Sequence, residues 1–258
     1  MSTLRRLWLQ AIPKTLLSRT TGFLTDLPLP RWARARVYGW FSRRYGVNLD
    51  EMAGSLTDYE SLSAFFTRQL VPGARPIADA PIVWPCDGRI VTSGPITDGR
   101  VEQIKGQTYD VEHLLLDGPL AARLRNATQA TIYLAPGDYH RVHVPFDGQR
   151  LRQWHVSGGL YPVNRETAQA VPELFVRNER VVYELRLVDG RAAAVVMVAA
   201  LNVGNIKPAF PISGEVRRGD ELGVFHLGST VIVLVEAGQP CLLTVSSGAL
   251  VRMGQRAS

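Results

Sequence analysis

The stretch VFHLGSTVIVL, residues 224–234, places a Gly-Ser-Thr directly in front of an apolar run, with thirty residues from Ser229 to the C-terminus. The β-branched residues of that run favour a strand. A serine in this setting is a turn residue, a nucleophile, or a group that attacks the carbonyl just behind it and breaks its own chain. The tripeptide does not decide among the three, so the choice depends on the rest of the sequence.

The composition is that of an ordinary globular protein. The 258 residues are 46% hydrophobic and 20% charged. The two cysteines, Cys86 and Cys241, form neither a disulfide framework nor a metal-ligand spacing, so we expect free thiols. The longest apolar run, residues 192–201, is half the roughly 20 residues that a membrane span needs, and we expect no transmembrane segment.

The positive charge is concentrated at the N-terminus. Residues 1–46 hold nine basic side chains against one acid, so residues 47–258 carry −2 of the total +6. A near-neutral body argues against a nucleic-acid partner. Residues 4–12 and 30–45 combine arginines with tryptophans at helical spacing, which favours amphipathic helices lying in a lipid interface. The alternative is that these helices pack on the body and their arginines are merely solvated.

The remainder separates into one helical stretch and a strand-rich body. Thr57 and Glu60 form a capping box in front of an apolar stripe, which predicts a helix through Leu70. From residue 81 onward, short apolar runs alternate with Gly, Pro and Asp. We predict an α+β protein in which a helical, membrane-associating extension, residues 1–70, precedes a largely antiparallel β-rich catalytic body, residues 71–258. The predicted strands cover 89–92, 100–104, 131–134, 141–144, 149–155, 180–187, 192–201, 215–217, 222–225, 231–235 and 242–246, and the predicted helical insertions cover 110–126 and 164–170.

Two histidines stand out in LAPGDYHRVHVP, residues 134–145. His140 and His143 are three residues apart, whereas the helical zinc motif needs a spacing of four with a glutamate between. Side chains three apart in a strand also face opposite sides of the sheet, so we expect no metal site. If both histidines serve one pocket, His140 must lie in the turn before the strand.

Asp87, His143 and Ser229 each lie at a predicted turn or strand border. A serine hydroxyl becomes a good nucleophile when a base takes its proton and an acid orients that base. The three residues therefore suggest a serine enzyme. The absence of a Gly-x-Ser-x-Gly elbow makes an ordinary α/β-hydrolase a poor fit.

Seven segments, in order along the chain, resemble the phosphatidylserine decarboxylases, a family that makes its own pyruvoyl cofactor. The resemblance covers about residues 60 to 240 and is most specific in the paired-histidine segment. The segments are ARPI (74–77), PCDG (85–88), KGQTY (105–109), DYHRVHVP (138–145), LFVRNER (174–180), VGNI (203–206) and FHLGST (225–230).

The resemblance implies a self-cleaving proenzyme. Ser229 would attack the carbonyl of Gly228, with His143 as base and Asp87 orienting it. Cleavage would give a β chain, 1–228, and an α chain, 229–258, headed by a pyruvoyl group derived from Ser229. That group would form a Schiff base with phosphatidylserine and release CO₂ and phosphatidylethanolamine. His140 would help to bind the substrate or to move protons.

The family likeness also implies a location and partners. We expect a peripheral protein at the cytoplasmic side of the cell membrane, with the two chains held as a heterodimer, and further oligomerisation of that heterodimer is left open. Two other hypotheses stay open: a serine-type hydrolase that uses Asp87, His143 and Ser229 without self-cleavage, and a non-enzymatic membrane-binding β-domain.

Overall fold

The structure is a computed structural model that describes residues 24–200, 206–209, 213–225, 229–242 and 244–258. The predicted helix over residues 4–12 and the predicted cleavage residue Gly228 lie outside the described residues. The described part is β-rich with mainly antiparallel sheets and a few helices, and the predicted α+β class is confirmed.

The N-terminal region has a small core of its own. The predicted helix over 30–45 is confirmed as α1 (Arg31–Tyr45), which ends at Gly46 in the left-handed conformation that glycine adopts readily. A second helix, α2 (Leu62–Phe66), packs against it. The shared core comprises Tyr38, Phe41, Val47, Met52, Phe65 and Phe66. Among the described residues, none of the helices combines the length and the hydropathy that crossing a bilayer requires.

The predicted start of α2 is wrong. The helix begins after Ser61, whose side chain accepts a hydrogen bond from the N–H of Ala64, and it ends at Phe66 rather than Leu70. Asp58 instead accepts hydrogen bonds from Ser55 and closes a turn. The prediction chose Thr57 as the cap, whereas the local turn at Ser55 and Asp58 leaves Ser61 to cap the helix.

The body is built on one eight-stranded sheet with the order β10-β6-β7-β8-β12-β4-β1-β13, in which every neighbouring pair is antiparallel. A three-stranded sheet, β5-β11-β9, and a hairpin, β2-β3, complete it. The strands are β1 (Gly88–Pro95), β2 (Arg100–Ile104), β3 (Gln107–Asp110), β4 (Thr128–Leu134), β5 (Arg141–His143), β6 (Gly148–Val156), β7 (Arg180–Leu187), β8 (Ala192–Ala199), β9 (Ile206–Pro208), β10 (Gly214–Val216), β11 (Glu221–Phe225), β12 (Ser229–Val235) and β13 (Leu250–Val251).

Within the described residues, four short helices lie between the strands: α3 (Val111–Leu115), α4 (Gly118–Arg123), α5 (Arg165–Ala170) and α6 (Leu174–Arg177). The predicted helical insertions start where the structure has helices: the side chains of Asp110 and Asn164 each accept a hydrogen bond from a backbone N–H in the first turn of α3 and α5.

One predicted strand is wrong. Residues 242 and 244–246 are described without strand pairing. The hydroxyl of Ser93 in β1 donates to the carbonyl of Val245 and accepts from its N–H, so a side chain takes the place of a ladder at this point. The strands β3, β9 and β13, which are two to four residues long, were not predicted.

Strand β12 lies inside the large sheet, between β8 and β4, and every residue of β12 and β8 is buried. Both faces of the sheet are therefore covered. On one face, Arg180 and Trp154 donate hydrogen bonds to the carbonyls at the end of α3. On the other face lies β11, where a Cβ at Gly223 would meet Tyr183 and Met197 at 2.8 and 3.0 Å.

Candidate active site

Ser229 is the first residue of β12 and is fully buried. Its neighbours across the sheet are Leu134 in β4 and Ala199 in β8. Because side chains alternate along a strand, Ser229 points to the same face as Val231 and the residue opposite Val231, which is Met197. That face carries β11, so the serine hydroxyl points toward the small sheet and the turn in front of β5.

His140 lies in that turn, one residue before β5, as required for both histidines to serve one pocket. Its Nε2 is 2.9 Å from the carbonyl oxygen of Ala135. A carbonyl only accepts, so Nε2 carries the proton and Nδ1 holds a lone pair. That lone pair faces the hydroxyl of Ser229 at 3.4 Å. Ser229 therefore donates to a neutral imidazole.

The surroundings of His140 oppose its protonation. Burial lowers the pKa of His140 to about 3, against the hydrogen bond to Ala135, and the nearby charge of Arg68 lowers it further. The ring of Phe66 stacks on the imidazole with centroids 3.9 Å apart. His140 is thus a neutral hydrogen-bond acceptor at any physiological pH.

His143 is held in the opposite tautomer. Its Nδ1 donates to the carbonyl of Gly219 at 2.8 Å, so Nε2 holds the lone pair, which accepts from the phenol of Tyr139 at 3.2 Å. Burial lowers the pKa of His143, and the nearby charge of Arg141 acts in the same direction; the Gly219 carbonyl and the charges of Glu221 and Asp87 oppose them without reversing the shift. In contrast to His140, this histidine has carboxylates near enough to stabilise its charged form.

The carboxylate of Asp87 is occupied by other partners. Arg75 binds both of its oxygens, with Nε at 2.9 and 3.1 Å and Nη2 at 2.5 Å, and the N–H of Met253 donates to Oδ1 at 2.9 Å. Arg75 also binds Glu51 at 2.8 Å. Burial would lower the pKa of Arg75, but the hydrogen bonds to Asp87 and Glu51 outweigh it and raise the pKa.

The structure therefore brings the predicted residues together in part. Ser229 contacts His140 directly through its side chain. The backbone N–H of His143 donates to the carbonyl of Pro85, two residues before Asp87. Among the side-chain hydrogen bonds of the described residues, none joins Asp87 to His143 or His143 to Ser229. The assignment of His143 as base and Asp87 as its orienting acid stays a prediction.

Sequence reasoning missed four contributors to the site: Phe66, Arg75, Tyr139 and Gly219. Arg75 and Tyr139 lie inside the motifs ARPI and DYHRVHVP, which was a signal that could have found them. Phe66 and Gly219 reach the histidines from 74 and 76 residues away in sequence. The described residues contain no group of three or more His, Cys, Asp or Glu side chains arranged to hold a metal ion.

Comparison with known proteins bears directly on this arrangement. The sequence model of the phosphatidylserine decarboxylase family matches residues 62–257. The chain belongs to this family. A phosphatidylserine decarboxylase proenzyme of Pseudomonas putida is 40% identical over 270 residues, which cover 95% of this chain and 93% of that protein. Proteins of the same name from Pseudomonas paraeruginosa and Pseudomonas entomophila are 41% and 40% identical over 269 residues, with 95% of this chain covered and 92% and 93% of theirs.

Membership of the phosphatidylserine decarboxylase family makes this a decarboxylase-type protein and confirms the predicted resemblance. The family match starts at Leu62, the first residue of α2, so it includes part of the segment predicted as an extension. The relatives' names give no support to the serine hydrolase hypothesis.

Proposed function

We propose that this chain is a proenzyme that cleaves itself between Gly228 and Ser229 and then decarboxylates phosphatidylserine to phosphatidylethanolamine. One observation carries the proposal: the buried hydroxyl of Ser229, at the start of a central strand, donates to the lone pair of a neutral histidine 3.4 Å away. A hydroxyl aligned in this way is prepared to act as a nucleophile. The names of the relatives agree with this activity.

In the first step, Oγ of Ser229 forms a bond to the carbonyl carbon of Gly228 while the amide C–N bond breaks, and the hydroxyl proton ends on the freed amine. Removal of the Ser229 α proton then breaks the Cβ–Oγ bond. Gly228 is left with a carboxylate and Ser229 becomes a dehydroalanine, which water converts to a pyruvoyl group and ammonia. We assign the base to His143, because its imidazolium has Glu221 and Asp87 nearby.

Ser229 fits the role of pyruvoyl precursor, because it is buried and its side chain lies against a hydrogen-bonding group rather than solvent. Once formed, the pyruvoyl group supplies a carbonyl that takes up the substrate amine and accepts the electrons left by departing CO₂. His140, neutral and in contact with the same position, is assigned to orient the substrate and to move protons there.

Intact mass of the purified chain tests the self-cleavage. We expect fragments of residues 1–228 and 229–258, and we expect Ser229→Ala to remain one chain of 258 residues with unchanged thermal stability. Protein with Ser229 intact that stays a single chain under all folding conditions would overturn the proposal. Release of CO₂ from phosphatidylserine, measured for cleaved protein and for Ser229→Ala, tests the substrate.

We also propose that the protein is peripheral to the cytoplasmic side of the cell membrane and that α1 contributes to binding. Trp32 and Trp40 of α1 are 77% and 59% exposed, and Arg36 and Arg43 are also exposed. Tryptophan suits the lipid interface, and each basic group near an anionic leaflet contributes about 1 kcal/mol.

Vesicle flotation tests the role of α1. Replacement of both Trp32 and Trp40 by Ala should weaken binding to phosphatidylserine-containing vesicles. Val188→Ala, which removes an equally exposed apolar side chain from the body, serves as control and should bind as the parent does. Equal binding by all three proteins would exclude α1 from the contact.

A further inference from the structure

Three consecutive residues at the end of α2 contact the turn that carries His140 and the start of the strand that follows it. The ring of Phe66 lies on the imidazole, and the carbonyl of Thr67 accepts from Nε of Arg141 at 3.0 Å. Nη2 of Arg68 donates to the carbonyls of residues 137 and 138 at 2.9 and 3.2 Å. The turn is therefore fixed from the side of the N-terminal helices as well as by its own strand.

The contact between Phe66 and His140 has the shortest distance between ring centroids of the aromatic pairs in the described residues. The centroids are 3.9 Å apart with 29° between the planes, and both side chains are fully buried. The imidazole is thus restrained at three places: Nε2 by Ala135, Nδ1 by Ser229, and one face by the phenyl ring. Rotation of the imidazole away from Ser229 would have to displace Phe66 from a packed core.

We propose that Phe66 is a positioning residue for the reaction, whose ring holds the His140 imidazole in the plane that aims Nδ1 at position 229 and keeps water off it. The proposal rests on the function proposed above, because it gives His140 its task. It assigns to α2, which the sequence placed in a membrane-associating extension, a part in the active site.

The neighbouring Phe65 provides a matched control. It is equally buried and lies in the same helix, but it stacks on Tyr38 of α1 with centroids 4.9 Å apart and contacts neither histidine through its ring. Replacement of either phenylalanine by Leu removes a ring from the same small core. The Phe65 ring also lies under the guanidinium of Arg68, 5.7 Å from the ring centroid, so its replacement reaches the His140 turn only through Arg68, whereas the Phe66 change removes the ring that lies on the imidazole itself.

The surroundings of His140 allow a readout that a purely structural role would not change. The groups that face its imidazole are the Ser229 hydroxyl from β12, the Ala135 carbonyl from its own turn, and the charge of Arg68 beyond α2. None of these stabilises an imidazolium through a negative charge, so exclusion of water is what keeps the ring neutral. Phe66→Leu would admit water and let the ring take a proton at mildly acidic pH.

The experiment compares Phe66→Leu with Phe65→Leu in the full chain. In the uncleaved Ser229→Ala background, nuclear magnetic resonance of the imidazoles should find His140 neutral down to pH 5 in the parent and in Phe65→Leu, and titrating above pH 5 in Phe66→Leu. In the Ser229 background, turnover per cleaved molecule at pH 7.5 should fall about tenfold for Phe66→Leu, and further toward pH 5.5. Phe65→Leu should stay within about twofold of the parent.

The two readouts separate the possible failures. A parent without decarboxylase activity would refute the proposed function, while the resonance comparison would still test the position of the ring. If both variants share the parent's titration and lose activity only in proportion to folded protein, Phe66 has no positioning role. Should Phe66→Leu not fold, Phe66→Met takes its place in both measurements, because its unbranched side chain adapts more readily to the space left by the ring.

Discussion

His140 and His143 are three residues apart, both buried and both neutral, yet their surroundings are opposite. His140 carries its proton on Nε2 and turns its Nδ1 lone pair to Ser229, with a positive charge nearby and a phenyl ring on its face. His143 carries its proton on Nδ1 and turns its Nε2 lone pair to Tyr139, with Glu221 and Asp87 near enough to favour its charged form.

The difference separates two properties that a single catalytic histidine usually combines. His140 has the contact with the serine but no carboxylate near its ring to offset burial, whereas His143 has Glu221 and Asp87 to offset part of the effect of burial on its pKa but no hydrogen bond to the serine. In each case a backbone carbonyl, Ala135 or Gly219, selects the tautomer. We infer that orientation of the hydroxyl and acceptance of the proton are divided between the two.

The largest expected effect comes from replacing one histidine at a time. His143→Gln should slow self-cleavage by about 10²–10⁴-fold, the usual contribution of a general base. His140→Gln should slow it by about tenfold or less, because it loses an orienting hydrogen bond only, but its cleaved fraction should lose most decarboxylase activity. Timed denaturing gels and CO₂ release measure both. Fast cleavage by His143→Gln with none by His140→Gln would reverse the assignment.

The second largest expected effect concerns the ion pairs of Arg75 with Asp87 and Glu51. Arg75→Met leaves Asp87 without its main partner and should lower the free energy of unfolding by about 3–5 kcal/mol. Arg252→Met removes the exposed arginine that also pairs with Glu51 and should cost about 0.5 kcal/mol or less. Urea denaturation of both variants in uncleaved Ser229→Ala protein makes the comparison, and equal costs would mean that the network adds nothing by being buried.

A smaller effect appears in the pH dependence of stability. Burial lowers the pKa of both histidines in the folded chain, so between about pH 3 and pH 6.5 the unfolded chain binds more protons at position 140. Stability should therefore fall as pH decreases below 6.5, by about 1.4 kcal/mol per pH unit for each neutral histidine. Unfolding at pH 7.5 and 5.5 measures the slope, and His140→Gln should reduce it. An unchanged slope would mean that His140 is protonated in the fold.

The smallest expected effect comes from a change in α2 that does not itself contact His140. Ser61→Ala removes the cap of α2, the helix that carries Phe66, and should cost about 1 kcal/mol. Asp110→Ala removes a comparable cap from α3, far from the histidines, and should cost a similar amount. Thermal unfolding should not distinguish the two variants, but turnover should fall about twofold in Ser61→Ala only. Equal turnover would limit the role of α2 to the contact of Phe66 itself.

The parts of the fold that sequence could predict are those with a strong local pattern. Strand β7 was predicted with the bounds that it has, because the segment is rich in β-branched, aromatic and leucine residues over a typical strand length and is followed by the Asp-Gly turn signal at 189–190. The predicted strand over 242–246 has a similar pattern, but Ser93 binds Val245 through its side chain and removes the pairing. No local signal could reveal that competitor.

The site residues also separate into those that sequence could predict and those that it could not. Ser229 and both histidines lie in motifs that sequence can find, and their types already limit the chemistry. Their partners depend on long-range packing: Arg75 occupies Asp87, Gly219 fixes the tautomer of His143, and Phe66 covers His140. An orienting acid was predicted where the structure has a carbonyl, since both accept the same N–H and only the fold decides which is near.

Strand β12 has a consequence for the life of the molecule. It lies between β8 and β4, so residue 229 reaches His140 only after both flanking ladders have formed. Under the proposed self-cleavage, the cofactor can be made only by a chain that has already folded, and a misfolded chain would stay in one piece. Processing is then a quality check on folding. Cleavage also makes refolding harder. A molecule that unfolds after cleavage has to reassemble from two chains, with a 30-residue piece returning to the middle of a sheet.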